Sequence, residues 1–490
     1  MCKKMLLLVG GIVLLLPGQA CGQSSGADLR TGRGDGQELA QENAEPEGPS
    51  SIRFKGLSLT PGGFLEGTFL FRTRNENADF ANTYTGIPLN GSTNSKLSEY
   101  RGSARDSRIS LLLQGKAGTT DLSGYFEMDF VGAAPTANYI QASSFTPRLR
   151  QAFVQIKTAS GCTIVGGQFW SLMTTNRHGI EARSEFIPST ADGSYVVGYN
   201  WIRGRGLRVT KSVHDKVWLG FELAEPENTY SAAFVPPNVM GLNTSQNTST
   251  GVLLLPFLPN YSNGNSTPLA PDLLAKVAFE PGWGHFEIKV LGRFFRDRIA
   301  TTANQVGFSN TTYGYGAGFA AILPVVRQKV DLIIEGLAGQ GIGRYGAAAL
   351  PDVTLDPIDG KMLPLREAHL FAGVETHPRT KLDLYGYIGS EYAGRYAGVS
   401  PAGGPAGYGS SLVSYLGCTN EVAMNTCNGA NRDVQEATVG YWYRLFKGSF
   451  GTLQYGNQIV YMRRTLWSGV GRAPQGTDLV AYSTVRFYLP

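Results

Sequence analysis

The chain is short of charge. Asp, Glu, Lys and Arg make up 17% of 490 residues, where a soluble domain averages about 25%. It also lacks long apolar runs: past the N-terminus nothing approaches the roughly 18 consecutive apolar residues of a membrane-spanning helix. Five cysteines and five histidines show no Cys/His spacing of a zinc site. The histidines His178, His214, His285, His369 and His377 are scattered, with no ligand pairing legible in the sequence. A formal net charge of +5, with no basic patch interleaved with aromatics, gives no sign of nucleic-acid binding. No cofactor and no metal are expected.

What is present in quantity is glycine (63), tyrosine (23) and phenylalanine (24), which suits β-structure with many turns. The start, MCKKMLLLVGGIVLLLPGQACGQ, has the form of a secretory signal peptide. Lys3 and Lys4 supply the charged end and Met5 to Leu16 the apolar stretch. Gly18 and Ala20 are the small residues before cleavage, so residues 1–20 are expected to leave. Cys21 would then be the first mature residue, but Gly18 departs from the leucine usual three places before a lipidated cysteine. Residues 21–62 are expected to form a flexible periplasmic tail and 63–490 the folded domain. In that tail Arg33-Gly34-Asp35 is read as a chance tripeptide. Cys418 and Cys427 bracket a Gly/Asn-rich segment, and in an oxidising compartment they are expected to form a loop disulfide. Cys162 is expected to remain single.

From residue 63 the polarity alternates with period two, the mark of a strand with one wet and one apolar face. In DSRISLLLQGKAGTTDLSGYFEMDFV, residues 106–131, Leu111, Phe126 and Phe130 fall on one side, and Arg108, Glu127 and Asp129 on the other. Strands are expected at 63–73, 106–117, 120–131, 148–158, 161–169, 196–212, 215–224, 272–280, 284–296, 313–324, 328–340, 366–376, 380–392, 434–446, 449–462 and 478–489. Their connections alternate long and short along the whole chain. A soluble sandwich has no reason to gather every long loop at one end, whereas a transmembrane barrel does. The fold class expected is therefore all-β, a transmembrane antiparallel barrel of about 16 strands. Apolar residues then face lipid, and the charged face lines an enclosed lumen. Aromatics near strand ends, such as Tyr441, Trp442, Tyr443, Tyr461, Phe487 and Tyr488, fit interfacial girdles.

A barrel of this size leaves an aqueous channel unless something fills it. The segment before residue 63 is too short and polar to fold as a plug, so a loop folded inward is expected to do so. The third long loop, WSLMTTNRHGIEARSEFIPSTADGSY (170–195), carries Arg177, His178, Glu181, Arg183, Glu185 and Asp192. Facing it, Arg72, Arg108, Glu127, Asp129 and Arg208 are candidate wall residues of a charged constriction. Arg293 joins Arg108 and Arg208 on the lumenal face and tilts the expected preference toward anions.

The stretches SRISLLLQGKAGTTDLSGYFEMDF, LRQAFVQIKTASGCTIVGGQFWSLM and PSTADGSYVVGYNWIRGRGLRVT resemble the second to sixth strands of the trimeric outer-membrane porins, and among them the DcaP-like porins. The likeness covers about residues 80–210. It implies a homotrimer in outer-membrane lipid and a channel for small hydrophilic solutes, dicarboxylates and other small anions included. It also implies Arg108, Glu127, Asp129 and Arg208 as channel wall, with Gln168 and Trp170 leading into the constriction loop. Two features depart from the family: residues 23–50 show no periodic coiled coil, and the chain ends in Pro490 rather than an aromatic residue.

Other motifs carry less. Gly341-Ile-Gly343-Arg-Tyr-Gly346 matches a dinucleotide fingerprint, but no helical pattern follows to hold a pyrophosphate. The alternative function is a barrel enzyme, or a surface-binding barrel using loops 225–271 and 393–433. For the enzyme, His369 beside Glu367 is the one candidate to test. The reading adopted is not an enzyme but a passive channel, with ion transport through the bacterial outer membrane.

Overall fold

The computed structural model describes residues 51–132, 146–240, 268–300, 306–421 and 429–490. Sixteen strands form one antiparallel barrel: β1 (Leu57–Arg72), β2 (Arg108–Ala117), β3 (Thr120–Gly132), β4 (Thr146–Lys157), β5 (Cys162–Trp170), β6 (Arg203–Val213), β7 (Val217–Ala224), β8 (Asp272–Phe279), β9 (His285–Ala300), β10 (Gly307–Val326), β11 (Val330–Gln340), β12 (Arg366–Arg379), β13 (Leu382–Ala393), β14 (Asn431–Gly448), β15 (Gly451–Leu466) and β16 (Gln475–Tyr488). Each strand pairs with the next, and β16 closes on β1 from Phe64↔Tyr488 to Arg72↔Val480. Closure is a physical requirement, because every backbone polar group at membrane depth needs a partner within the sheet. Among the described residues no α-helix is found.

The exposures show which face points out of the barrel. Outward residues Leu65, Val154, Ile288, Ile388 and Val439 are more than half exposed, while inward Glu127, Asp129, Glu287, Lys289 and Arg293 are buried. A soluble core has the reverse arrangement. Aromatic Trp283 and Phe450, on two of the short turns, are also exposed, as side chains at a membrane interface are.

All sixteen expected strands are present, with several ends displaced, and four of these differences have a physical reason. β1 begins at Leu57 rather than 63, so residues 57–62 belong to the sheet, paired with β2 from Ser58↔Gln114 to Phe64↔Arg108. Pro61-Gly62-Gly63 hides this extension by breaking the alternation. Residues 196–202 were expected to open a strand but lie before β6. Val197 and Tyr199 are apolar because they pack in buried clusters, not because they face lipid. The expected long loop 297–312 is mostly ladder, paired as far as Ala300↔Gly307. β9 and β10 have 16 and 20 residues, more than the roughly 9–11 that cross a bilayer. The excess carries no lipid-facing alternation to read. Finally, residues 106–107, expected in the second strand, lie just before β2. A short strand, Glu99–Ser103, continues the ladder along β1, and the intervening residues 104–107 turn in, where Ser107 Oγ accepts from Glu66 N at 2.9 Å.

Cys418 is disulfide-bonded and Cys162 is free. Cys427, its expected partner, and the expected signal and most of the tail lie outside the described residues.

Candidate functional site

Residues 171–202 join β5 to β6 without regular secondary structure, so their backbone donors need other acceptors. Inward side chains of distant strands supply them. Leu172 N donates to Glu222 on β7 at 3.0 Å and Asn176 N to Glu287 on β9 at 2.8 Å. Gly198 N donates to Glu391 on β13 at 2.9 Å, Val197 N to Glu436 on β14 at 2.9 Å, and Ala191 N to Gln458 on β15 at 2.7 Å. Asn200 gives both its backbone N and its Nδ2 to Glu335 on β11. Each carboxylate turns a backbone amide into a charge-assisted bond.

The segment also approaches the wall more closely than a side chain allows. Gly198 has φ +86°, and a Cβ there would lie 1.9 Å from Leu370 O; one at Gly389 would lie 1.6 Å from Val197 O. Glycine at both positions lets loop backbone touch sheet backbone.

The candidate residues divide by what they hold. Arg72, Arg208 and Arg293 are at most 1% exposed. Arg72 donates to Asp79 O at 2.8 Å, Ala81 O at 2.9 Å and Glu99 at 3.0 Å. Arg208 pairs with Glu222 at 2.9 Å and donates to Trp170 O. Arg293 pairs with Asp272 at 3.0 Å and donates to Gly341 O at 2.6 Å. These three guanidinium groups are buried and hold loop backbone to the wall. Sequence alternation put them on the inner face but carries no information about what covers that face.

Glu127 and Asp129 are likewise buried, in a cluster with Arg148 and Arg150: Arg148 Nη2 lies 2.6 Å and Arg150 Nη1 2.9 Å from Asp129. Arg177 donates to Glu375 on β12 at 2.9 Å, its guanidinium 4.8 Å from the Phe186 ring centre. Glu181 pairs with Lys157 at 3.0 Å. Arg183, at φ +73°, stacks over Tyr125 at 4.6 Å. Glu185 is buried, its backbone bridged to Asn176. Gln168 donates to Leu149 O and Arg150 O, both at 3.0 Å. His369, the candidate catalytic histidine, is fully buried and bonded to Asn200 at 2.8 Å.

Of the wall arginines proposed from sequence, Arg108 alone borders open space. It lines a cleft between residues 187–195 and the wall, with Asp106, Arg444, Arg486, Asp192 and Tyr195 among its neighbours. Arg108 lies 3.5 Å from Asp106 and 5.0 Å above the Phe64 ring. Arg486 is stacked on Phe64 at 4.5 Å and Trp442 at 4.6 Å and pairs with Glu66. Arg444 pairs with Asp383. Arg444 and Arg486 were not among the site residues expected from the sequence.

Neither a protein-family model nor a curated protein sequence matches the chain. Solved structures do. The outer-membrane channel DcaP of Acinetobacter baumannii matches with a TM-score of 0.62 at 15% identity, over 89% of this chain and 99% of that one. The fold is that of the outer-membrane porins. An anion-selective porin from Comamonas acidovorans also matches, at 10% identity and a TM-score of 0.45, over 88% of this chain and 100% of that one.

Proposed function

We propose that the protein is a porin of the bacterial outer membrane, a passive, water-filled channel for small hydrophilic solutes. The observation that carries this is a closed sixteen-stranded barrel whose inner face is charged and polar, a size at which barrels enclose water. On this reading residues 171–202 fold into the lumen as its constriction. Their bonds to strands on several sides of the barrel support that placement. The solute path passes the cleft bordered by Arg108, Arg444 and Arg486. Three guanidinium groups at one opening favour small anions, dicarboxylates among them, since each planar fork matches a carboxylate. Asp106, Asp383 and Glu66 hold those groups in place and moderate the preference.

The same reading includes export through a signal peptide at residues 1–20, a Cys418–Cys427 disulfide and a homotrimer in the outer membrane. Purified protein added to planar bilayers should give stepwise, salt-dependent currents, and the reversal potential in a KCl gradient should favour Cl⁻. Silence at high protein load would refute the channel. A cation-selective reversal potential would refute the anion preference alone.

A further inference from the structure

At the end of the barrel carrying the short turns, three inward side chains converge. Asp331 on β11 and Glu375 on β12 are directly paired in register. His377, two residues along β12 on the same face, completes the group: one potential ligand atom from each residue lies within 4.8 Å of the others.

His377 Nδ1 is bonded to Asp383 Oδ1 at 2.7 Å, which fixes the ring and leaves Nε2 as the free donor atom. That Nε2 is buried and has no hydrogen-bond partner. A carboxylate behind one ring nitrogen with a ligand position at the other is the recurrent outer shell of protein-bound transition metals. Asp383 is itself held by Arg444.

We propose that Asp331, Glu375 and His377 bind one divalent transition ion, of which Zn²⁺ is the probe of choice. One imidazole and two carboxylates form an N/O donor set suited to such an ion, with water completing the coordination. Donors to Zn²⁺ lie about 2.0–2.2 Å from the ion, a shell that three ligand atoms all within 4.8 Å of one another can form. Glu375 also accepts from Arg177 at 2.9 Å and Ser189 Oγ at 3.0 Å, both on the 171–202 segment. An ion that takes one Glu375 oxygen therefore competes with that segment for its anchor.

The site does not depend on the channel reading and is tested by binding alone. Titration of the full-length, detergent-solubilised protein with Zn²⁺, followed by calorimetry, should give one chelator-reversible ion per chain. His377→Ala and Asp331→Asn should each weaken binding at least about tenfold, while His214→Ala, on an exposed turn, should leave it unchanged. Heat-modifiable gel mobility and circular dichroism identify variants that retain the folded barrel. Absence of stoichiometric binding to the parent protein, or undiminished binding in folded His377→Ala and Asp331→Asn, would overturn the proposal.

Discussion

Arg177 donates to Glu375 across 2.9 Å, joining two residues far apart in the chain. Glu375 is buried and takes a further bond from Tyr387 Oη at 2.6 Å. It is thus a common anchor for a neighbouring strand and for the segment between β5 and β6.

Removing that anchor should loosen the segment without opening the barrel. Arg177→Ala is expected to cost about 1.5–3 kcal/mol, the worth of a hydrogen bond to a charged group, and to enlarge the single-channel conductance. Thermal melts followed by circular dichroism, with bilayer recordings, check both. Unchanged conductance in a destabilised variant would mean that the segment does not set the aperture.

Gly198→Ala and Gly389→Ala should be more disruptive than their size suggests. Each puts a methyl group where a carbonyl oxygen stands, and no rotamer relieves a Cβ clash. Residues 171–202 are expected to be displaced and to become cleavable by trypsin at Arg177 or Arg183, while the strand ladder persists. Limited proteolysis of refolded protein reads this directly, and parent-like resistance would contradict the close approach.

Arg486→Gln should shift selectivity. It removes a cation held between Phe64 and Trp442 at the cleft and leaves Glu66 without that partner. The reversal potential in a KCl gradient is expected to move toward K⁺, and Arg108→Gln should act in the same direction. A shift toward Cl⁻ in either variant would remove the cleft from the solute path.

The loop after β1 should respond to pH through Glu76. Burial pushes this carboxyl up to about 7, against the opposing pull of Arg72 at 3.7 Å and the bonds from Thr83. A carboxyl whose folded pKa exceeds its unfolded value of 4.5 favours the folded state when protonated. Its contribution is complete below about 4.5, declines as pH rises, and is lost above about 7. The range amounts to about 3 kcal/mol. Hydrogen exchange of residues 73–98, corrected for intrinsic rates, should show more protection at pH 5 than at pH 8. Glu76→Gln should flatten the difference, and a reversed dependence would rule out this linkage.

Much of the architecture was legible because it rests on local rules. A period of two assigns Phe126 and Glu127 to opposite faces whatever else the chain does, and the rhythm of long and short connections tells a barrel from a sandwich. Residues 196–202 were misread because an apolar run packed in buried clusters has the same composition as one packed on lipid. Arg72 and Arg108 also look alike in sequence: both are inward arginines in the same part of the barrel. Arg72 is covered by backbone from residues 78–81, whereas Arg108 borders the cleft.

The order of residues alone determined the sixteen strands, their facing and the closure of the sheet, because alternation is a property of neighbours along the chain. Only the tertiary structure decided which charges are clamps and which border open space, and that His377 meets Asp331 and Glu375. Those outcomes depend on side chains that become neighbours only after the sheet has closed and loop backbone has taken its hydrogen bonds from the wall.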